Sequence, residues 1–370
     1  MDKLSQIALS MLPGLGAAAC RRLLAMFPGA DLFALPPAEL RTALRGHAGL
    51  AEAIVSRSTF ARAEAELAFC ERNRIRPLFC TDSDYPARLN RAETQDCPVV
   101  LYVLGQADLG AERTVGIVGT RRATPQGRDN TEHLVAGLEP LGVPVVSGLA
   151  YGIDSAAHAA ALAHRLPTVA VLGHGLDRIY PPSNRQLASR IVEQGGALVT
   201  EYPHGTAIHA GNFPARNRII AALSDAVVVV EASERGGALI TATIATGYHR
   251  EVFAVPGRLT DTYSRGTNNL IATSKAQLVR DAADVAFHMG WPYDTPAAAV
   301  QQQLFLTLEP DAQRMVDLLH RRGQLSLDEL AAESDMPLPK VAGLLFDLEM
   351  KQMVRPLPGR LYQLIERFKV

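Results

Sequence analysis

The sequence predicts an α/β protein: a doubly wound parallel sheet with a small helical domain before it and a winged-helix unit after it. Three observations lead there. From Arg113 to about Phe287, continuous apolar runs alternate with helical patterns. Strands read this way when helices cover both faces of a parallel sheet. Before this stretch the pattern is helical, and the last sixty or so residues read as helices closed by a hairpin.

The elements follow in chain order. Residues 1–75 read as short helices, with Leu4, Ile7, Ala8 and Met11 at helical spacing. LPGLG breaks the chain, and a helix resumes over Ala17–Met26. This is similar to a helix-hairpin-helix or SAM-like domain, whose Gly-x-Gly amides can face a DNA phosphate. A purely structural helical domain accounts for the same residues and is the preferred reading.

Residues 76–287 form the α/β domain. IRPLFC and PVVLYVLG are strand candidates at its entrance, and TVGIVG, VPVVSG, TVAVLG, GALVTEY, AVVVVEA, EVFAVPG and AQLV follow. Helical patterns such as Thr131, Leu134, Val135 and Leu138 fill the gaps, which gives doubly wound alternation. Residues 288–308 include WPYDTPAAAVQQQ and read as a linker. Within residues 309–370, PDAQRMVDLLH is a helix, and SLDE is a capping box that opens a second. Leu338, Val341, Leu345 and Leu348 mark a third helix, and a hairpin turns near Pro358-Gly359. That is the winged-helix order.

The chain has 370 residues, 48% of them hydrophobic, and a formal net charge of -1. No global basicity announces nucleic acid, so an anion site has to come from local clustering. The four Cys residues form no CxxC pair, and the ten His residues show no metal-ligand spacing. Neither a metal nor another cofactor is expected. Ala17-Ala18-Ala19-Cys20 is faintly like a lipoprotein cleavage site, but Pro13, Gly14 and Gly16 interrupt the apolar segment before it. With no apolar run long enough for a bilayer, the expectation is a cytoplasmic protein without membrane contact.

Ligands of open parallel sheets bind beyond the C-terminal strand ends. After the first strand of the alternating region come Gly119, Thr120, Arg121 and Arg122, then Thr124-Pro125, suited to a helix N-cap and first turn. That helix would direct free amides at the loop. Later strand ends contribute Ser147-Gly148, the segment from His209 through Asn212, Phe213, Arg216, Asn217 and Arg218, and the helix start Gly236-Gly237.

The spacing is neither GxGxxG nor GxxxxGK[ST], which argues against NAD and against a P-loop ATPase. An aromatic beside guanidinium groups suits a base and its flanking phosphates. Phe213 alone would read as a core aromatic; in this company the binding role is favoured. One of Arg216 and Arg218 could still be structural, paired with Glu201 or Glu231. These two carboxylates read as groups that orient arginines or cap loop amides rather than as a catalytic pair. Asp154 reads as a helix N-cap, and His158 and His174 as structural histidines.

The blocks GIVGTRRATPQG, SGLAYGIDSAAHAAAL, TVAVLGHGLDRIYPPSN, GALVTEYP, NFPARNRIIAALSDAVVVVEA and GGALITATIATGYHREVFAVPG together resemble the DNA-processing protein A family, DprA or Smf. The resemblance runs from about Tyr85 to Val279. It implies an extended Rossmann-like fold and a protein that is not an enzyme. It also implies binding of single-stranded DNA in natural transformation and loading of RecA recombinase onto that strand. A homodimer would form near Asn268 to Val279, with the RecA contact nearby. The family's DNA pocket carries over onto Gly119, Thr120, Arg121 and Arg122, and onto Phe213 with the Arg-Asn-Arg that follows.

Departures exist. A Lys common before the Phe is replaced by His209 or Ala210, and the Ser-Gly-Ser-Leu block reads Gly236-Gly237-Ala238-Leu239. The winged-helix segment PLPKVAGLLFDLE offers Lys340 alone, so a protein-contact or weak DNA role is favoured there. The alternative is a small-nucleotide phosphoribohydrolase-like enzyme on a related fold. Its PGGxGTxxE pattern carries a catalytic Glu where GGALITATIA has no acid.

Overall fold

The computed structural model describes residues 1–45, 47–293, 308–351 and 353–365. The chain divides into two compact units, Met1–Tyr293 and Asp294–Val370. Most of the expected linker lies outside the described residues.

The first unit opens with helices α1 (Lys3–Ser10), α2 (Ala17–Met26), α3 (Pro37–Ala43), α4 (Ala48–Val55) and α5 (Phe60–Arg72). They do not close a core of their own. Ile7, Leu9, Leu32, Leu40 and Ile54 share one apolar cluster with Leu101 and Val103 of the sheet and with Ile219 and Ile220. Arg21 reinforces the junction by donating to the carbonyls of Leu89, Cys97 and Pro98. Burial pushes the thiols of Cys20, Cys70 and Cys97 up to about 12, so these are packing groups rather than nucleophiles.

The strands are β1 (Arg76–Phe79), β2 (Val100–Gly105), β3 (Val115–Val118), β4 (Val145–Ser147), β5 (Thr168–Val171), β6 (Ala197–Thr200), β7 (Ala226–Val229), β8 (Glu251–Ala254) and β9 (Gln277–Leu278). Every strand expected from the apolar runs is present. They form one nine-stranded sheet in the order β1-β2-β6-β5-β4-β3-β7-β8-β9. The pairs from β6 through β9 are parallel, whereas β1–β2 and β2–β6 are antiparallel. Strands β3 through β7 are buried along their whole length, as their unbroken apolar runs require.

Between the strands run α6 (Pro125–Leu138), α7 (Ile153–Ala163), α8 (Arg185–Glu193), α9 (Asn212–Leu223), α10 (Gly237–Gly247) and α11 (Arg265–Ala272), and α12 (Ala282–Met289) ends the unit. The strand order reverses direction at β3, which pairs with β4 on one side and β7 on the other. This is the topological switch point, where α/β sheets hold their ligands. Gly119 sits at its C-terminal end.

The second unit contains α13 (Pro310–Arg322), β10 (Gln324–Ser326), α14 (Leu327–Ser334), α15 (Leu338–Met350), β11 (Val354–Leu357) and β12 (Leu361–Leu364). The capping box at α14 is formed: Ser326 Oγ accepts from the Glu329 amide, and Glu329 accepts from the Ser326 amide. Gly359, at φ +88°, turns the hairpin between β11 and β12. This is a winged-helix domain. Among the described residues, no helix is long and apolar enough to cross a membrane.

Candidate nucleic-acid interface

The loop after β3 is built by close backbone approaches. A side chain at Gly119 would meet Ile153 at 2.5 Å, and one at Gly152 would meet the Thr120 carbonyl at 2.2 Å. Gly152 also has φ +79°, which favours glycine. These two glycines let the loops after β3 and β4 lie against each other. The Ile153 amide donates to the Thr120 carbonyl and the Thr120 amide to the Glu231 carbonyl, so both loops are tied to the end of β7.

Thr124 caps α6, its hydroxyl accepting from the Gly127 amide at 3.0 Å, and Pro125 takes the first helical position. Glu231 lies beside this cap. Its carboxylate accepts from the Thr124 amide at 3.0 Å and from the Thr124 hydroxyl at 2.5 Å. Gly127 leaves room for it, since a Cβ there would lie 2.2 Å from the carboxyl. Sequence reasoning expected free amides at this helix start. The amides of Thr124 and Gly127 are already taken, and a buried carboxylate stands beside them, so guanidinium groups must supply the positive charge.

Arg121 and Arg122 are exposed and supply it. The Arg121 guanidinium carbon lies over the Phe213 ring, 5.4 Å from its centroid. Phe213 and Asn212 open α9, and one edge of the Phe213 ring lies close to Gly173 beyond the end of β5, where a Cβ would meet Cδ1 at 3.1 Å. The rim therefore joins Gly119, Thr120, Arg121 and Arg122 with Phe213 and Asn212, as strand-end reasoning anticipated. Beside Phe213 is a ring that this reasoning missed. Tyr180 lies with its centroid 5.6 Å away, tilted by 41°. It sits in an irregular loop far from Phe213 in the chain, where periodicity carries no signal.

The other expected residues divide. His209 is exposed before α9, and its Nδ1 accepts from the Gly211 amide. Gly236 forms the N-cap of α10 and Gly237 has open space around it, beyond the end of β7. Asn217 is half-buried. Ser147 turns inward, fully buried, and donates to the Ile117 carbonyl at 2.6 Å. Gly148 is buried against the Arg216 guanidinium.

Arg216 itself is only 3% exposed, and donates through Nη1 to the carbonyls of Gly148 and Val171. It supports the rim from beneath and presents no guanidinium to solvent. Arg218 forms a two-pronged pair with Glu201 at 2.5 and 2.7 Å and donates to the Asp96 carbonyl. Both arginines of this segment thus have structural work, although only one was expected to.

The carboxylates behave as amide caps and arginine partners, Glu231 with Thr124 and Glu201 with Arg218. Asp154 departs from its expected place. Gly152 is the α7 N-cap, and Asp154 lies buried within the first turn. Burial raises its carboxyl, although Arg216 and Arg121 pull the other way. His158 is fully buried against Thr168, and burial lowers its imidazole to about 3. It is held neutral as a packing group.

Residues 76–290 match the sequence model of the DNA recombination-mediator protein A family, and residues 295–360 match that of the DprA winged helix domain. The chain belongs to the DprA/Smf family. Protein Smf of Synechocystis is 37% identical over 79% of this chain and 81% of its own length. A putative DNA processing protein DprA of Mycobacterium tuberculosis is 41% identical over 71% of this chain and 68% of its own.

Among solved structures, DNA processing protein A from Streptococcus pneumoniae superposes with a TM-score of 0.64 at 33% identity. It covers 77% of this chain and 98% of its own. The protein from Helicobacter pylori, described for its unique single-stranded DNA binding mode, gives 0.52 at 31% identity. It covers 58% of this chain and 95% of its own. The matched family is one of recombination mediators.

Proposed function

We propose that this chain binds single-stranded DNA along the rim of the sheet and loads RecA recombinase onto it, as in natural transformation. The observation that carries the reading is the exposed Arg121 guanidinium over the Phe213 ring, 5.4 Å from its centroid, at the switch point. A planar cation over a ring leaves its edge free for a phosphate, while the remaining ring surface accepts a base. Arg122 adds a second phosphate contact, and Gly119 and Thr120 allow the strand to approach the backbone. Arg216, Ser147 and Gly148 hold these loops in place from below. Asn212, His209, Gly236 and Gly237 border the path.

The single-strand binding described for the Helicobacter pylori relative supports the ligand class. The homodimer through Asn268 to Val279 and the RecA contact near it belong to the same reading and rest on family resemblance.

Binding isotherms for single and double strands across several salt concentrations test it. Single strands are expected to bind more tightly. Arg121→Ala should make the slope of log K against log salt shallower by about 0.7, the contribution of one phosphate contact. Equal affinity for both forms, or an unchanged slope in the variant, would refute this assignment.

A further inference from the structure

Tyr180 is the unexplained residue of the rim. It lies in the loop after β5, and its side chain remains 39% exposed. An exposed tyrosine alone signifies little. This one is held on both sides by buried groups. Pro181, the next residue, is buried, and Asn184 donates to the Leu149 carbonyl and to Ser155 Oγ, fastening the loop to the start of α7.

On the other side stands His174, 1% exposed. The Tyr180 amide donates to His174 Nε2 at 3.2 Å, and His174 Nδ1 lies 2.9 Å from the Gly175 carbonyl. Only one state satisfies both contacts: Nδ1 carries the proton and donates, and Nε2 is bare and accepts. Burial, which lowers the imidazole pKa, favours this neutral form. The loop thus holds a part-exposed aromatic ring on a fixed backbone, next to Phe213.

We propose that Tyr180 is a second nucleobase platform, taking the base adjacent to the one on Phe213, with His174 as its positioning residue. This rests on the single-strand reading above. The two ring centroids are 5.6 Å apart at 41°, too close to sandwich a base between them and suited to neighbouring bases side by side. The spacing exceeds the rise of about 3.4 Å per nucleotide in a stacked strand. Bases seated flat on two rings tilted by 41° cannot stay parallel, so their mutual stacking is lost as they seat. Every base has a π face, so the platform is indifferent to sequence.

The test uses the full chain with oligothymidylate, and with an oligonucleotide carrying two adjacent 2-aminopurines. Tyr180→Ala should weaken binding by about 5- to 160-fold, the range for one lost base stack. Tyr180→Phe should stay close to wild type. The losses from Tyr180→Ala and Phe213→Ala should multiply in the double variant, because each ring holds its own base. The exciton circular-dichroism band of the 2-aminopurine pair should fall on binding to wild type and persist with Tyr180→Ala.

Unaltered affinity in Tyr180→Ala overturns the proposal and leaves the single-strand reading intact. So does a Tyr180→Ala effect that vanishes in the Phe213→Ala background, which would make Tyr180 a mere buttress of that ring. A wild-type chain that fails to bind oligothymidylate overturns both. Matching thermal unfolding of Tyr180→Ala, Tyr180→Phe and wild type shows that the loss is one of contact rather than of fold.

Discussion

Two arginine pairs border the same rim and do opposite things. Arg121 and Arg122 stand on a loop after β3, exposed, one of them over the Phe213 ring. Arg216 and Arg218 stand on α9, one buried against carbonyl oxygens and the other clasped by Glu201. Residue type and proximity are shared, so the difference lies in what each guanidinium already has. A cation whose guanidinium is buried or paired inside the protein holds shape; one that faces water is available to an anion.

The sharpest way to break this comparison is to truncate one member of each pair. Arg216→Ala leaves the Gly148 and Val171 carbonyls without their donor and Asp154 without its nearest compensating charge. The expected cost is about 3–5 kcal/mol of folding stability, the range for a disrupted buried polar cluster. Arg121→Ala should change stability by less than about 0.5 kcal/mol, as for other surface sites, while it weakens DNA binding. Urea unfolding of both variants decides the matter. Equal stability losses would erase the distinction between the support and the gripping surface.

Much of this division could not be read in advance, for a physical reason. The strands were legible because burial on both faces leaves continuous apolar runs. The rim was legible because strand-end geometry fixes where ligands go. Which way Arg216 points was not legible. Helix α9 carries Ile219, Ile220, Ala221, Ala222 and Leu223 in one buried run, so its periodicity marks no outer side. The Glu231 contact with Thr124 joins residues 107 positions apart, and no local pattern announces it. Asp154 was misplaced by two residues because Gly152, at φ +79°, takes the cap without a side chain.

A smaller effect sharpens the same contrast through pH. His158 sits beneath the rim, with Nδ1 2.7 Å from Thr168 Oγ1. That hydroxyl donates its own proton to the Val145 carbonyl, so Nδ1 must be the donor to Thr168. Nε2 has no partner. The folded imidazole stays neutral down to about 3, against 6.5 for the ordinary value. Below pH 6.5 the unfolded chain takes up a proton that the folded chain refuses. The contribution to stability is therefore complete above pH 6.5 and drains away as pH falls towards 3. By pH 4.5 the loss amounts to roughly 3 kcal/mol. Urea midpoints at pH 7 and 4.5 should fall less in His158→Gln than in wild type. An identical fall would show that other groups govern the acid limb.

The smallest expected effect lies in the winged-helix domain, which repeats the comparison in a different fold. Helix α15 occupies the position of a DNA-reading helix, but its exposed residues include Phe346 at 61% and Met350 at 70%. Asp347 and Glu349 lie beside them, also exposed. Its cation Lys340 is paired with Asp311 at 2.5 Å. Like Arg218, it has a carboxylate in hand. The pair is exposed and contributes about 0.2–1 kcal/mol to stability at most. Lys340→Ala should therefore leave both the affinity for oligothymidylate and its salt slope within error of wild type, in contrast to Arg121→Ala. A salt slope shallower by about 0.7 in Lys340→Ala would mean that α15 meets a phosphate, and the path of the strand would then have to reach both domains.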